Sequence, residues 1–141
     1  MSPTVYDCSL IYLPRVDTGK GTISIVDNGE ATLPFEVRRV FYLYDIPGGK
    51  SRGAHAHKSC HQFIVAASGA FEILLDDGHV QRLIQLNRPY IGLHVPPGIW
   101  ASEINFASGS ICLILTSHEY DETDYIRSYE DFKCWKHPDK N

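Results

Sequence analysis

The chain has 141 residues, of which 43% are hydrophobic, enough for one domain with a sizeable core. Its formal net charge of −4 gives no indication of the positively charged surface that is typical of nucleic-acid binding. No apolar run approaches a membrane span, and the N-terminus lacks the basic-then-apolar pattern of a signal peptide. We therefore expect a cytoplasmic protein that binds neither nucleic acid nor membrane. The four cysteines are scattered, which favours reduced thiols that pack as small hydrophobes.

Short β-branched and aromatic runs, separated by turn residues, recur along most of the chain. This pattern is typical of an all-β sandwich or barrel. Asp76-Asp77-Gly78 is a hairpin signal, and Pro47-Gly48-Gly49 predicts a turn into a strand that carries His55 and His57. The other predicted strands cover 10–13, 22–26, 35–44, 62–67, 70–75, 79–86, 90–95, 101–106 and 110–116.

The last part of the chain differs, because polar residues with interleaved aromatics replace the strand pattern. Ser128 precedes Asp131 by three residues, which predicts a helix N-terminus. Tyr129, Phe132 and Cys134-Trp135 are predicted to form one side of a short helix. We therefore expect a single domain over 1–141, with its core at about 34–117 and a short C-terminal helical tail at 118–141.

Two histidines, His55 and His57, stand one residue apart. Alternate side chains of a strand point to one face, so both imidazoles are expected to project into the same space. An imidazole titrates near neutrality and suits proton transfer.

The surrounding spacing resembles the two cupin signatures. Gly49, the histidine pair, Gln62 and Gly69 resemble the first signature, and Pro96-Pro97-Gly98 followed by Asn105 resembles the second. The resemblance implies an RmlC-like cupin, that is, a jelly-roll β-barrel.

The ligands of a metal-binding cupin are only half present. Such cupins use two histidines and a glutamate from the first signature and a histidine from the second, whereas this chain has Gln62 and Ala101 at the last two positions. Two imidazoles fall short of the three protein ligands of an ordinary catalytic metal site. We expect no metal and no other cofactor.

A more specific resemblance covers about 34–132. Arg-Gly-Ala-His-Ala-His-Lys at 52–58, Gly98-Ile99-Trp100 and the tail Tyr-Asp-Glu-Thr-Asp-Tyr-Ile-Arg at 120–127 are similar to the sugar-nucleotide 3,4-ketoisomerases. The resemblance implies a metal-independent isomerase that moves the ketone of dTDP-4-keto-6-deoxyglucose from C4 to C3, for deoxysugars of O-antigens in lipopolysaccharide and of other glycans. A nucleotide-linked 4-keto-6-deoxy sugar is the implied partner. Because cupins commonly pair, we also expect a homodimer.

The family motif implies roles for individual residues. His55 is the first choice for the base that removes the C3 proton, and His57 orients or stabilises the enediol. Arg39 is placed on an inward face, where it holds a phosphate or the keto group. The remaining predicted substrate-binding residues are Gln62, Lys20, Arg52, Lys58 and Tyr42. Alternation points Arg52 and Lys58 away from the histidine face, and Tyr42 serves only if a bulge re-aims it.

The chain departs from the family at three positions. Phe41 replaces a tyrosine whose hydroxyl relays a proton between the C3 and C4 oxygens, so water or His57 has to carry that proton. Lys20 stands where some members have arginine, and Ala101 replaces a histidine or arginine. Three other functions therefore stay open: a sugar-nucleotide epimerase, a catalytically silent sugar-nucleotide binding module and, least supported, a metal-dependent dioxygenase.

Overall fold

The computed structural model describes residues 2–30 and 32–140. Within these residues the chain forms twelve β-strands and one α-helix. The strands are β1 (Ser9–Tyr12), β2 (Arg15–Asp17), β3 (Thr22–Ser24), β4 (Arg39–Leu43), β5 (Arg52–His57), β6 (Gln62–Ser68), β7 (Phe71–Asp76), β8 (Gln81–Leu86), β9 (Ile91–Val95), β10 (Trp100–Ile104), β11 (Ile111–Thr116) and β12 (Tyr125–Ile126), and the helix is α1 (Tyr129–Lys136).

Two five-stranded antiparallel sheets form the body of the molecule. Their strand orders are β1-β9-β6-β11-β4 and β12-β5-β10-β7-β8, and β2 pairs with β3 in a separate hairpin. Apart from the β7–β8 hairpin, successive strands from β4 to β11 alternate between the two sheets, which is the jelly-roll connection. The predicted all-β, jelly-roll class is confirmed.

The core lies between the two sheets. Ile64, Ile73, Leu75, Leu93 and Ile114 are among its buried side chains. Because strand side chains alternate, the other face of the first sheet needs its own cover. Phe63, Val65 and Leu115 on that face pack against Leu13 and Leu33 from the N-terminal segment.

The long predicted strand at 35–44 is wrong at its start. Only Arg39–Leu43 pairs with β11. Phe35 and Val37 instead pack on the outer cluster with Leu33, because burial there competes successfully with continued strand pairing.

The predicted C-terminal helix is confirmed. The Ser128 hydroxyl accepts a hydrogen bond from the backbone N–H of Asp131 at 3.3 Å and so caps the helix. Phe132 is fully buried against Ala56 and Ile126, so the helix covers the outer face of β5 and β12. The predicted apolar side is too wide, since Cys134 is exposed and Trp135 is 42% exposed. Within the described residues, neither α1 nor any shorter helical turn has the length and apolar character that crossing a membrane requires.

Candidate active site

The two histidines of β5 lie beside each other, as strand alternation predicts. Their ring centroids are 5.0 Å apart at an interplanar angle of 86°. His57 is buried and His55 is half-buried, and the Nε2 atoms of both are buried without a hydrogen-bond partner among the described residues. Leaving a buried polar atom unpaired costs about 1–3 kcal/mol. Two such atoms on one wall are therefore available to a ligand.

A carboxylate that the sequence analysis missed holds one of these rings. Nδ1 of His57 lies 2.9 Å from Oδ2 of Asp124. The same carboxylate accepts the backbone N–H of Ser59 at 2.7 Å and that of Cys60 at 3.2 Å. A carboxylate accepts and does not donate, so Nδ1 of His57 carries the proton and Nε2 keeps its lone pair.

Residues 118–127, which we call the cap, cover the histidine pair. The Tyr125 ring lies 4.3 Å from the ring of His57 and 5.0 Å from that of His55. The Tyr120 hydroxyl donates to Oε2 of Glu122 at 2.6 Å, and Arg127 holds the same carboxylate at 2.6 and 2.8 Å. Hydrogen bonds between its own side chains thus stabilise the cap.

The cap leaves little room beside His57. A recess of about 10 Å³ lies among Arg39, His57, Cys60 and the cap. A much larger open cleft, of about 900 Å³, lies on the outer side of the cap, against Arg38 and Ser59. We regard the small recess as the site despite its size, because it is lined by His57, the neighbour of His55 and one of the two imidazoles with an unpartnered Nε2, whereas neither histidine lines the large cleft.

Burial keeps both imidazoles neutral at physiological pH. It lowers the pKa of His55 to about 4, and the nearby His57 and Arg127 act in the same direction. Burial also lowers the pKa of His57, although the hydrogen bond that His57 donates to Asp124 opposes this shift. Only a neutral imidazole can accept a proton, so the pair is in the state that a general base requires.

The wall opposite the pair is formed by β4. The Arg39 guanidinium lies 4.4 Å from the centroid of the Phe41 ring and 5.2 Å from that of Tyr120. Tyr42 is 58% exposed on the other face of β4, where it packs on Tyr44. Since β4 keeps a regular register with β11 over its whole length, no bulge re-aims Tyr42 toward the histidines.

The other predicted substrate-binding residues divide between the interior and the surface. Gln62 is buried at the start of β6, two residues before the core residue Ile64, so alternation directs it inward. Lys20, Arg52 and Lys58 are exposed. The fold thus brings Arg39, Gln62 and the histidine pair to the barrel interior and leaves these three cations and Tyr42 outside it.

A second residue that the sequence analysis missed, Glu103, lies on β10, which pairs with the strand of the two histidines. Glu103 of β10 is buried, and within the part of the chain that the structure describes its Oε2 has no hydrogen-bond partner. A Cβ on Gly53, which has φ of +75°, would lie only 1.9 Å from that oxygen, so the glycine makes room for the carboxyl. Burial raises the pKa of Glu103 to about 7.

Among the described residues, one group has ligand atoms close enough to hold a metal ion. These atoms belong to His57, Cys60 and Asp124 and lie within 4.8 Å of one another. Both oxygens of Asp124 already accept hydrogen bonds, and Nδ1 of His57 is one of the donors. A metal ion would have to displace this hydrogen bond. At the two remaining cupin ligand positions the chain has an amide and a methyl group, so its donor set fits a metal ion poorly.

Comparisons with known proteins agree with this geometry. Residues 6–137 match the family model FdtA, described as WxcM-like, C-terminal. The chain is 36% identical over 124 residues to the TDP-4-oxo-6-deoxy-alpha-D-glucose-3,4-oxoisomerase of Aneurinibacillus thermoaerophilus, covering 88% of each chain.

The fold has solved counterparts. The sugar 3,4-ketoisomerase QdtA of Thermoanaerobacterium thermosaccharolyticum, determined in complex with TDP, superposes with a TM-score of 0.91 at 30% identity, over 96% of this chain and 98% of that one. The RmlC epimerase of Mycobacterium tuberculosis superposes with a TM-score of 0.73 at 16% identity, over 87% of this chain and 69% of that one, which shows a shared cupin fold alone. The predicted relationship to the 3,4-ketoisomerases and the prediction of an isomerase are confirmed. The chain belongs to the FdtA family of WxcM-like proteins.

Proposed function

We propose that the chain is a metal-independent 3,4-ketoisomerase of dTDP-4-keto-6-deoxyglucose in which a histidine acts as the base. The observation that carries the proposal is the pair of neutral imidazoles whose buried Nε2 atoms have no hydrogen-bond partner among the described residues. The named relatives support a TDP-linked keto sugar as the substrate. We place the enzyme in the cytoplasm, in the synthesis of deoxysugars for O-antigen.

In the proposed reaction, His55 takes the proton from C3 of the sugar. The C–H electrons form a C3=C4 double bond, and the C4 oxygen receives the proton of O3, carried by water or His57, which gives the enediol as its enediolate. His55 then returns its proton to C4, which leaves the ketone at C3 and a hydroxyl at C4. The Arg39 guanidinium, which faces Tyr120 across the recess, provides the positive charge that holds a phosphate or the developing oxyanion.

The test is a proton NMR time course in deuterium oxide with dTDP-4-keto-6-deoxyglucose. We expect wild type to lose the C3 proton signal and to form a 3-keto species, and His55→Asn to do neither. His94→Leu, which changes a histidine on the outer face of the first sheet, is the control and should behave as wild type. Retention of the 4-ketone with exchange at C3 or C5 would indicate an epimerase. Tight binding without any exchange would indicate a silent binding module.

Metal independence needs its own measurement. We expect purified, chelator-treated protein to contain less than one tenth of an equivalent of metal by plasma emission and to retain its isomerase rate. Loss of the rate on chelation, restored by one ion, would contradict the proposal.

We further propose a homodimer formed through sheet edges. β1 and β4 are the edge strands of the first sheet, and Tyr12, Val40 and Tyr42 are each more than half exposed there. Unpaired edges with apolar side chains favour pairing with a second chain. Light scattering should give twice the mass of the chain, and Tyr42→Asp should shift the protein toward monomer.

A further inference from the structure

Three side chains at the small recess carry atoms that bind metal ions. Nδ1 of His57, Sγ of Cys60 and a carboxylate oxygen of Asp124 lie within 4.8 Å of one another. The cupin ligand positions fit a metal ion poorly, but neither Cys60 nor Asp124 is one of those positions. Thiolate, imidazole and carboxylate are the ligand types that zinc binds in proteins. The three atoms therefore form a separate candidate site.

The spacing of these atoms is close to what one zinc ion requires. Zinc–ligand bonds of about 2.0–2.3 Å place two ligand atoms of a tetrahedral ion about 3.3–3.6 Å apart. Nδ1 of His57 and Oδ2 of Asp124 are 2.9 Å apart, so this pair has to open slightly. The sulfur of Cys60 has to approach by about 1 Å at most. Rotation about the Cα–Cβ bond of a cysteine provides a shift of this size.

The recess supplies the fourth position of the ion. All three side chains line it, and its volume of about 10 Å³ holds roughly one water molecule. Three protein ligands and one water complete a tetrahedral zinc site. The thiol of Cys60 is held only weakly before the ion binds. It donates to the carbonyl of His61 at 3.3 Å and lies 3.9 Å from the hydroxyl of Ser117.

We propose that His57, Cys60 and Asp124 form an inhibitory zinc site. On binding, the Cys60 thiol loses its proton to solvent, the ring proton of His57 moves from Nδ1 to Nε2, and the ion replaces the hydrogen bond between His57 and Asp124. The ion fills the recess assigned to the substrate and turns Nε2 of His57 from an acceptor into a donor, so the zinc-bound protein is inactive. The inhibition rests on the proposed function, whereas the binding of the ion does not.

The charges around the recess favour reversible binding over a permanent zinc centre. Because one proton leaves as the two charges of Zn²⁺ enter, binding adds one positive charge to the site. Arg39 and Arg127 lie close enough to His57 to lower its pKa, so both arginines oppose this added charge. We therefore expect Zn²⁺ to act as a removable inhibitor of a reaction that itself needs no metal.

Cobalt binding tests the site without using activity. Co²⁺ is the probe, because a thiolate ligand gives it a charge-transfer absorption band in the near ultraviolet that nitrogen and oxygen ligands do not. We expect chelator-treated wild type to develop this band on addition of Co²⁺ and to lose it on addition of Zn²⁺. Cys60→Ser should show no band. Cys134→Ser, which changes the exposed cysteine of α1, is the control and should keep the band.

Two further readouts report on the other ligands and decide the question even where Cys60→Ser is unstable. Asp124→Asn keeps the thiolate, so the band should persist while the affinity for Co²⁺ falls by at least about tenfold, the usual cost of losing even an outer partner of a metal site. In ¹⁵N-labelled wild type, Zn²⁺ should convert the His57 ring from the Nδ1–H to the Nε2–H tautomer.

Inhibition is measured on the isomerase rate of each protein relative to its own metal-free rate. Zn²⁺ should inhibit wild type and Cys134→Ser equally, with full recovery on chelation. It should be at least about tenfold less potent toward Cys60→Ser, because one ligand is lost.

Four results would overturn the inhibitory zinc site. They are the absence of a thiolate band in wild type, an equal band in Cys60→Ser, a band without inhibition of wild type, and equal inhibition of Cys60→Ser and wild type. If metal-free wild type has no isomerase activity, the proposed function fails instead, and the cobalt band still tests the binding of the ion.

Discussion

Three pairs of histidines lie close together among the described residues, and two of them, the pair on β5 and the pair on the outer face of the first sheet, use their nitrogens in opposite ways. His61 and His94 lie on the outer face of the first sheet with ring centroids 5.2 Å apart and nearly parallel rings, and Nδ1 of His61 lies 2.9 Å from Nε2 of His94. Phe35 packs against both rings. His55 and His57 are about equally close but nearly perpendicular, and neither Nε2 has a hydrogen-bond partner in residues 2–30 and 32–140.

The difference separates a structural pair from a chemically available one. The outer pair satisfies its facing nitrogens internally, so it stabilises the fold and has little to offer a ligand. The inner pair leaves two buried ring nitrogens inside the barrel without partners among the described residues, at a cost in folding free energy that a bound ligand can recover. Proximity of two histidines alone therefore does not identify a site.

The largest expected effect comes from replacing one histidine in each of these two pairs. We expect His55→Asn to lower kcat at least 100-fold with an unfolding free energy equal to or above that of wild type. His94→Leu should keep kcat within threefold and lose about 1–3 kcal/mol, since it leaves the His61 nitrogen without its partner. Steady-state kinetics and urea unfolding measure both quantities. Inactivity of the His94→Leu protein while folded would break the comparison.

Glu103 tests whether other buried polar groups without partners in the barrel interior also lower the free energy of unfolding. Burial raises its pKa from 4.5 to about 7, so the folded protein binds this proton more tightly than the unfolded chain does. Stability contributed by the proton is present below pH 4.5 and is lost as the pH rises through 7. Glu103→Gln should therefore gain stability over wild type between pH 5 and pH 8, by up to about 3 kcal/mol. A pH-independent difference in urea unfolding would refute this account.

His94 of the outer pair should change the free energy of unfolding with pH by a smaller amount than Glu103 and in the opposite direction. Burial and the neighbouring His61 lower the pKa of His94 from 6.5 to about 4. His94 then takes up a proton near pH 6.5 in the unfolded chain but only near pH 4 in the folded protein. Stability is therefore lost as the pH falls from 6.5 toward 4. Between pH 7 and pH 5 we expect this histidine to account for up to about 2 kcal/mol. The slope of the unfolding free energy against pH should flatten in His94→Leu. An unchanged slope would mean that other groups cause the loss of stability in acid.

Much of the site's framework could be predicted from local patterns. The one-residue spacing of His55 and His57 places both rings on one face of β5. The same alternation places Phe41 with Arg39 and puts Tyr42 on the opposite face, and Ser128 marks the start of α1. These are consequences of strand and helix periodicity, which a short stretch of sequence contains in full.

The rest could not be read from local patterns. Asp124 contacts His57 across 67 residues, and the strand that carries Tyr125 has only two residues, too few to show a period. The local alternation of β10 directs Glu103 inward, but a carboxylate is normally expected at the surface, and only the glycine opposite it makes room.

The sequence by itself determined the all-β class, the shared face of the two histidines and the kinship to the ketoisomerases, because each depends on residues that are close along the chain. Only the tertiary structure decided which histidine has a carboxylate partner, which histidine pair is internally satisfied and which predicted cations stay outside. Those outcomes depend on long-range packing, in which the cap, β5 and β10 meet from distant parts of the chain.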